Sequence, residues 1–113
     1  MICDAFDVVA VPFPFVDSRR TKRRPAVALT ERAVNREGHC VFAMVTTKSH
    51  APWPGDTEIE DFAAAGLNLS CVVRLKLFTL DNRLIAKRIG RLTQKDRSAR
   101  VSGNSCQGFR YRV

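Results

Sequence analysis

Apolar positions fall into short runs separated by proline, glycine and charged clusters, which is the pattern of strands rather than long helices. Phe6–Phe15 is apolar and β-branched, with Pro12 and Pro14 interrupting its far end, so that end lies at a sheet edge or leaves the sheet. Arg24–Thr30 reads as the returning strand, with Pro25 near its start where a missing donor is tolerated. Glu31–Gly38 is polar and suits one helical turn, and His39–Thr46 is a strongly apolar, central strand. After a loop at Lys48–Gly55, Thr57–Ile59 forms a short strand and Asp61–Ala65 a single helical turn ended by Gly66.

Ser70–Leu77 alternates, with Val73, Leu75 and Leu77 on one face and Arg74 and Lys76 on the other, and Phe78–Leu80 continues it. Leu84–Leu92 fits a strand with a bulge at Gly90 or a short helix. Thr93 is placed to cap a last helix, Gln94–Val101, with Asp96 at the capping-box position. The tail Ser102–Val113 lacks a periodic apolar face and is expected to be poorly ordered. These elements predict one domain over 1–113, mainly β with one or two short helices, closing into a small, partly open β-barrel. No apolar run is long enough to cross a bilayer and the start lacks a signal pattern, so a cytoplasmic, membrane-free protein is expected.

Charge sharpens this picture through its distribution. The net charge of +8 comes from the C-terminal third: after Asp81 nine cations face the single acid Asp96, whereas residues 1–81 are neutral overall. Within that neutral part, Arg19, Arg20, Lys22, Arg23 and Arg24 crowd one loop, and Asp56, Glu58, Glu60 and Asp61 crowd another. A loop so dense in cations repels itself unless it is solvated or lies against a polyanion such as a phosphate backbone. Arg24 alone is held by a strand start, where its fork is either a solvated loop end or a rigid phosphate ligand. Cys3, Cys40, Cys71 and Cys106 form no C-x-x-C pair, and His39 and His50 show no ligand spacing, so neither a metal site nor a disulfide framework is expected. No cofactor is indicated.

The run Phe6–Phe15, then Lys22-Arg23-Arg24-Pro25-Ala26-Val27-Ala28-Leu29, resembles the start of the MazF/PemK family, the toxins of type II toxin–antitoxin systems. Met44-Val45-Thr46-Thr47-Lys48, Gly55-Asp56-Thr57-Glu58-Ile59, Cys71-Val72-Val73-Arg74 and Phe78-Thr79-Leu80-Asp81 continue the resemblance, in the family's order, over roughly residues 6–97. It implies an SH3-like barrel shared with gyrase-poison toxins and assembled as a symmetric homodimer. It also implies metal-independent, sequence-selective cleavage of single-stranded mRNA, growth inhibition, and control by a cognate antitoxin. By motif position it implies Arg24 and Thr46 as catalytic residues, and Arg74 for RNA handling or catalysis. Three departures stand out: Phe6-Asp7 replaces the family's Gly-Asp/Glu start, Leu75-Lys76 follows Arg74 where PemK-like members carry an acid, and the C-terminal segment lacks the apolar helix with which the family usually ends.

The residues suit such chemistry. RNA supplies its own nucleophile, the 2′-hydroxyl, so the protein must position it, take its proton, neutralise the phosphorane and protonate the leaving oxygen. Arg24 suits the third task, and Thr46 orients the reacting groups or is simply a β-branched strand residue. RNA contacts are expected from Arg19, Arg20, Lys22, Arg23, Thr47, Lys48, Ser49, Trp53 and Arg74. Trp53 is the best base-stacking platform, or else a lid on the barrel end or a dimer contact; Arg74 can equally be solvated or paired with the acidic 56–61 segment. Two other readings share this fold: a gyrase poison that needs no catalytic arginine, and an RNA-binding barrel without turnover.

Overall fold

The alternating segments become strands with nearly the expected bounds. They are β1 Asp7–Pro12, β2 Arg23–Ala28, β3 His39–Thr47, β4 Thr57–Glu58, β5 Cys71–Asp81 and β6 Lys87–Arg91. The computed structural model describes residues 1–12, 23–48 and 51–97. One antiparallel sheet in the order β4-β5-β3-β2-β1-β6 curls into a half-barrel, as expected. Phe13, Phe15, Arg19, Arg20, Lys22, Ser49, His50, Cys106 and the 102–113 tail lie outside the described residues.

The sheet is covered on both faces, which is why β1 and β3 read as continuous apolar runs. One face gathers Val9, Val11, Ala26, Ala28, Phe42 and Phe78. The other gathers Val8, Val27, Ala43, Val45, Val73 and Leu92. Phe42 and Phe78 are register partners, and their rings stack at 5.7 Å. Burying each valine contributes about 1.5–3 kcal/mol.

Short polar devices join the strands. The single turn α1, Arg32–Asn35, persists because Asn35 is fully buried: its Nδ2 donates to the carbonyls of Cys3 (2.7 Å) and Thr30 (2.9 Å), and its Oδ1 accepts the Thr30 hydroxyl. Residues 94–97 are helical (α2), capped as expected by Thr93, whose Oγ1 accepts the Asp96 amide at 3.2 Å; residues 98–101 of the expected helix lie outside the described residues. Asp96 itself accepts the amides of Glu60 (2.9 Å) and Asp61 (3.2 Å), stitching the exit of β4 to α2.

One segment differs from the sequence reading: Asp61–Ala65 is a hydrogen-bonded turn, not a helix, and Gly66 ends it at φ +84°. The turn packs on β6, where a bulge puts Val8 opposite Gly90 and Val9 opposite Arg88, leaving Ile89 extra. The strand-with-bulge alternative for Leu84–Leu92 is therefore the one adopted. A Cβ on Gly90 would run into the Ala65 carbonyl. A 3-10 turn, Asn82–Leu84, precedes β6 and was not foreseen.

Phe6 stands where the resemblance places glycine, and it adopts the left-handed φ of +70°. An L-residue there costs about 1–2 kcal/mol, offset by tertiary contacts: its amide donates to Ala28, its carbonyl accepts from Leu92, and the Arg97 guanidinium lies 5.6 Å over its ring. Asp7 beside it is fully buried and paired with Arg88 at 3.1 Å and Arg91 at 3.2 Å.

β5 is longer than its apolar run, and two extra residues, Leu75 and Lys76, lie between the pairs Met44–Arg74 and Ala43–Leu77. Because two residues are inserted, the alternation keeps its phase. Val73 and Leu77 join one core and Phe78 the other. What changes is the environment of Arg74, which faces a covered surface and is buried.

Candidate functional site

Arg24 is the second residue of β2, half-buried and opposite Val11 of β1. The β2–β3 pairs run from Ala28–Phe42 to Ala26–Met44, and Arg24 and Thr46 each lie two residues beyond the last of them. Both then share the sheet face of Ala26, Met44 and Phe42, because strand side chains repeat every second residue. Thr46 is 7% exposed and pairs on its other side with Val72 of β5. By alternation the two expected catalytic residues thus have the parity of one face, past the last β2–β3 pair. Arg23, at the strand start opposite Pro12, is exposed.

Thr47 lies on the opposite face, in register with Cys71, and lines an open cleft of about 250 Å³ with Pro25, Leu67, Leu69 and Ile89. Cys71 also lines this cleft; burial pushes its thiol pKa up, which keeps it protonated and a poor nucleophile. Lys48 is exposed and ion-paired with Glu58 at 2.9 Å. Thr46 and Thr47, adjacent in sequence, therefore serve opposite sides of the sheet.

Arg74 and Trp53 meet around an acid. Trp53-Pro54-Gly55-Asp56 is a tight turn closed by the Asp56 amide donating to the Trp53 carbonyl at 3.1 Å. Gly55 takes φ +84° in the position a type II turn gives to glycine, and a Cβ there would strike Leu75. The turn swings the Asp56 carboxylate back to accept the Trp53 amide at 3.0 Å and to grip Arg74: Nε donates to Oδ1 at 3.2 Å and Nη2 to Oδ2 at 3.1 Å. Nη2 also donates to the Ala51 carbonyl at 2.8 Å.

The side chains of Arg74 and Asp56 are 8% and 12% exposed. Burial alone would raise the Asp56 pKa, but the Arg74 hydrogen bonds and the Trp53 amide hold it below the usual carboxylate value. Over the Trp53 ring lie the Arg74 guanidinium at 5.0 Å and the Lys76 ammonium at 5.4 Å, while 43% of the tryptophan stays exposed.

Of the residues predicted for the site, the structure brings Arg74 to Trp53, gives Arg24 and Thr46 the parity of one sheet face, and sets Thr47 on the other face. Arg19, Arg20, Lys22 and Ser49 lie outside the described residues. Sequence reasoning missed Asp56 and Lys76 as neighbours of Trp53. The pairing of Arg74 with the 56–61 acids was open, but nothing local pointed to Asp56 among four acids. The remaining acids have cationic or amide partners: Glu58 pairs with Lys48, Glu60 with Lys95 at 3.0 Å, and Asp61 accepts the Ala64 amide. Among the described residues no three His, Cys, Asp or Glu side chains cluster as metal ligands, and no helix is long and apolar enough to cross a membrane.

A single curled antiparallel half-barrel with short helical turns defines the class of small β-barrel proteins. The PemK-like, MazF-like toxin family of type II toxin–antitoxin systems matches residues 4–101, and the chain belongs to it. No curated protein matches the sequence. Among solved structures it is similar to MazF in a MazE–MazF structure from Deinococcus radiodurans, with TM-score 0.69, 20% identity, and 96% of this chain and 98% of that one covered. It is similar also to the Mycobacterium tuberculosis toxin MazF-mt6, with TM-score 0.66, 21% identity, and coverage of 82% and 86%. A third is an endoribonuclease in complex with its cognate antitoxin from a mycobacterial species, with TM-score 0.63, 14% identity, and coverage of 87% and 84%.

Proposed function

We propose that this toxin is a metal-independent endoribonuclease that cuts single-stranded mRNA, and that a cognate antitoxin restrains it. The observation that supports the reading is strand alternation: Arg24 and Thr46 share the parity of Ala26 and Met44, two residues beyond that last β2–β3 pair, on a face that also bears Arg74. In the reaction the RNA 2′-oxygen bonds to the adjacent phosphorus, its proton passes to a base, and the 5′-oxygen leaves with a proton from an acid. The products are a 2′,3′-cyclic phosphate and a 5′-hydroxyl. Arg24 neutralises the phosphorane oxygens with a fork that stays charged at any working pH. Thr46 orients the scissile phosphate or the 2′-hydroxyl. Trp53 stacks an unpaired base, and Lys76 and Arg74 beside it meet the phosphates of the same stretch.

The family membership and the neighbours' own partners support an acidic antitoxin segment laid over the basic 19–24 loop, on a homodimeric toxin acting in the cytoplasm. The test uses purified protein and single-stranded RNA in EDTA. Wild type cleaves, and Arg24→Ala loses about 100- to 1,000-fold in rate. Intact RNA with wild type, or undiminished cutting by Arg24→Ala, overturns the reading.

A further inference from the structure

In place of the acid that PemK-like members carry just after the β5 arginine, this chain has Leu75-Lys76, and a carboxylate reaches the same arginine from eighteen positions earlier. We infer that Asp56 is a positioning residue: it clamps Arg74 in one orientation and locks Trp53 beside it, so that guanidinium and indole form one preformed subsite for a nucleotide of single-stranded RNA. The inference rests on the ribonuclease reading for its substrate, and it names the residue that makes this part of the face rigid.

Donor arithmetic supports it. A guanidinium carries five N–H groups. Nε and one N–H of Nη2 go to the Asp56 carboxylate, and Nη2 also serves the Ala51 carbonyl. Nη1 makes no hydrogen bond among the described residues, so its two N–H groups remain to meet a phosphate oxygen. An arginine held along its Nε–Nη2 edge is a directed donor at Nη1, whereas a lysine or a free arginine would be a mobile charge. The carboxylate cancels most of the local charge, so Arg74 contributes geometry to RNA rather than net attraction.

The same carboxylate fixes the turn. It accepts the Trp53 amide, while the Asp56 amide closes on the Trp53 carbonyl. Pro54 restricts the backbone, and Gly55 makes room for Leu75 of the β5 bulge. Trp53 therefore cannot move independently of Arg74. An indole held in place and 43% exposed stacks a base without first losing its own freedom. The β5 bulge is what brings Lys76 over the same ring.

Trp53 is the only tryptophan in the chain, so its fluorescence reports this subsite alone. The experiment compares wild type with Asp56→Asn, which keeps the shape and removes the charge, using a mixed-sequence single-stranded RNA labelled with fluorescein at its 5′ end. Bound RNA quenches Trp53 in wild type. In Asp56→Asn the labelled RNA still binds, with KM unchanged or lower because an acid has left the RNA face, while the Trp53 quench is lost and kcat falls at least tenfold. A merely structural loss would raise KM and lower kcat together, and would overturn the inference. So would full quench and full kcat in Asp56→Asn, or no quench by RNA bound to wild type. Arg74→Lys, which keeps the charge but not the fork, reproduces the Asp56→Asn phenotype, and the double variant adds nothing to either. If wild type binds RNA without cutting it, the ribonuclease reading fails, and the quench still decides whether the clamp exists.

Discussion

β5 carries two arginine–aspartate forks of nearly identical geometry and opposite consequence. Arg74 meets Asp56 through Nε–Oδ1 at 3.2 Å and Nη2–Oδ2 at 3.1 Å; Arg83, just beyond the strand, meets Asp81 at its last residue through the same atoms at 3.1 and 3.0 Å. The first pair joins segments eighteen residues apart and is 8% and 12% exposed; the second is local, with side chains 88% and 31% exposed. The Arg83 side chain, followed by its amide, pushes the Asp81 carboxyl down to about 2. A large pKa shift at an exposed pair is not a large stability, because water and side-chain entropy take back most of the attraction. Enclosure, not hydrogen-bond geometry, separates the two forks.

The largest expected effect comes from breaking the enclosed fork. Arg74→Ala leaves a buried carboxylate without its partner and lowers unfolding free energy by about 3–5 kcal/mol, read as a shift in the urea midpoint at pH 7. Next is acid. The Asp56 pKa is depressed on folding, so its stabilisation is whole above the unfolded value of about 3.9 and is lost as pH falls through the lower folded value. Urea midpoints measured from pH 6 downward should therefore fall more steeply for wild type than for Asp56→Asn, the two converging at the acid end; parallel curves would remove Asp56 from the acid transition. The smallest effect belongs to the exposed fork. Arg83→Ala should leave both the urea midpoint and RNA cleavage at wild-type values, and a clear loss in either would show that geometry alone carries weight here.

Strand positions were legible because both faces of this sheet are apolar and the turns carry their own punctuation. RPAVALT and HCVFAMVT, for instance, map onto β2 and β3 within two residues. Thr93 and Asp96 announced a helix start through side-chain chemistry that is local in sequence. The Asp56–Arg74 pairing was not legible in that way. A proline–glycine turn and a two-residue bulge on another element jointly bring the two groups together, and neither leaves a spacing between residues 56 and 74 that can be read. Asp61–Ala65 stops at one hydrogen-bonded turn because Gly66 leaves the helical region at φ +84° and packs against Ile89 of β6. Arg24 and Thr46 fall between these cases, each marked by its neighbours but placed on one face only through strand alternation from the Ala26–Met44 pair.

Asp96 also fixes where this chain can end. Its carboxylate satisfies backbone amides of Glu60 and Asp61 that belong to the sheet's far edge, and Arg97 donates from Nε to the Leu92 carbonyl. A chain shortened at the end of β6 would keep all six strands, yet strand those amides and uncover Phe6 beneath Arg97. The ties that hold this half-barrel together therefore reach past its last strand, to a carboxylate that none of the six strands carries.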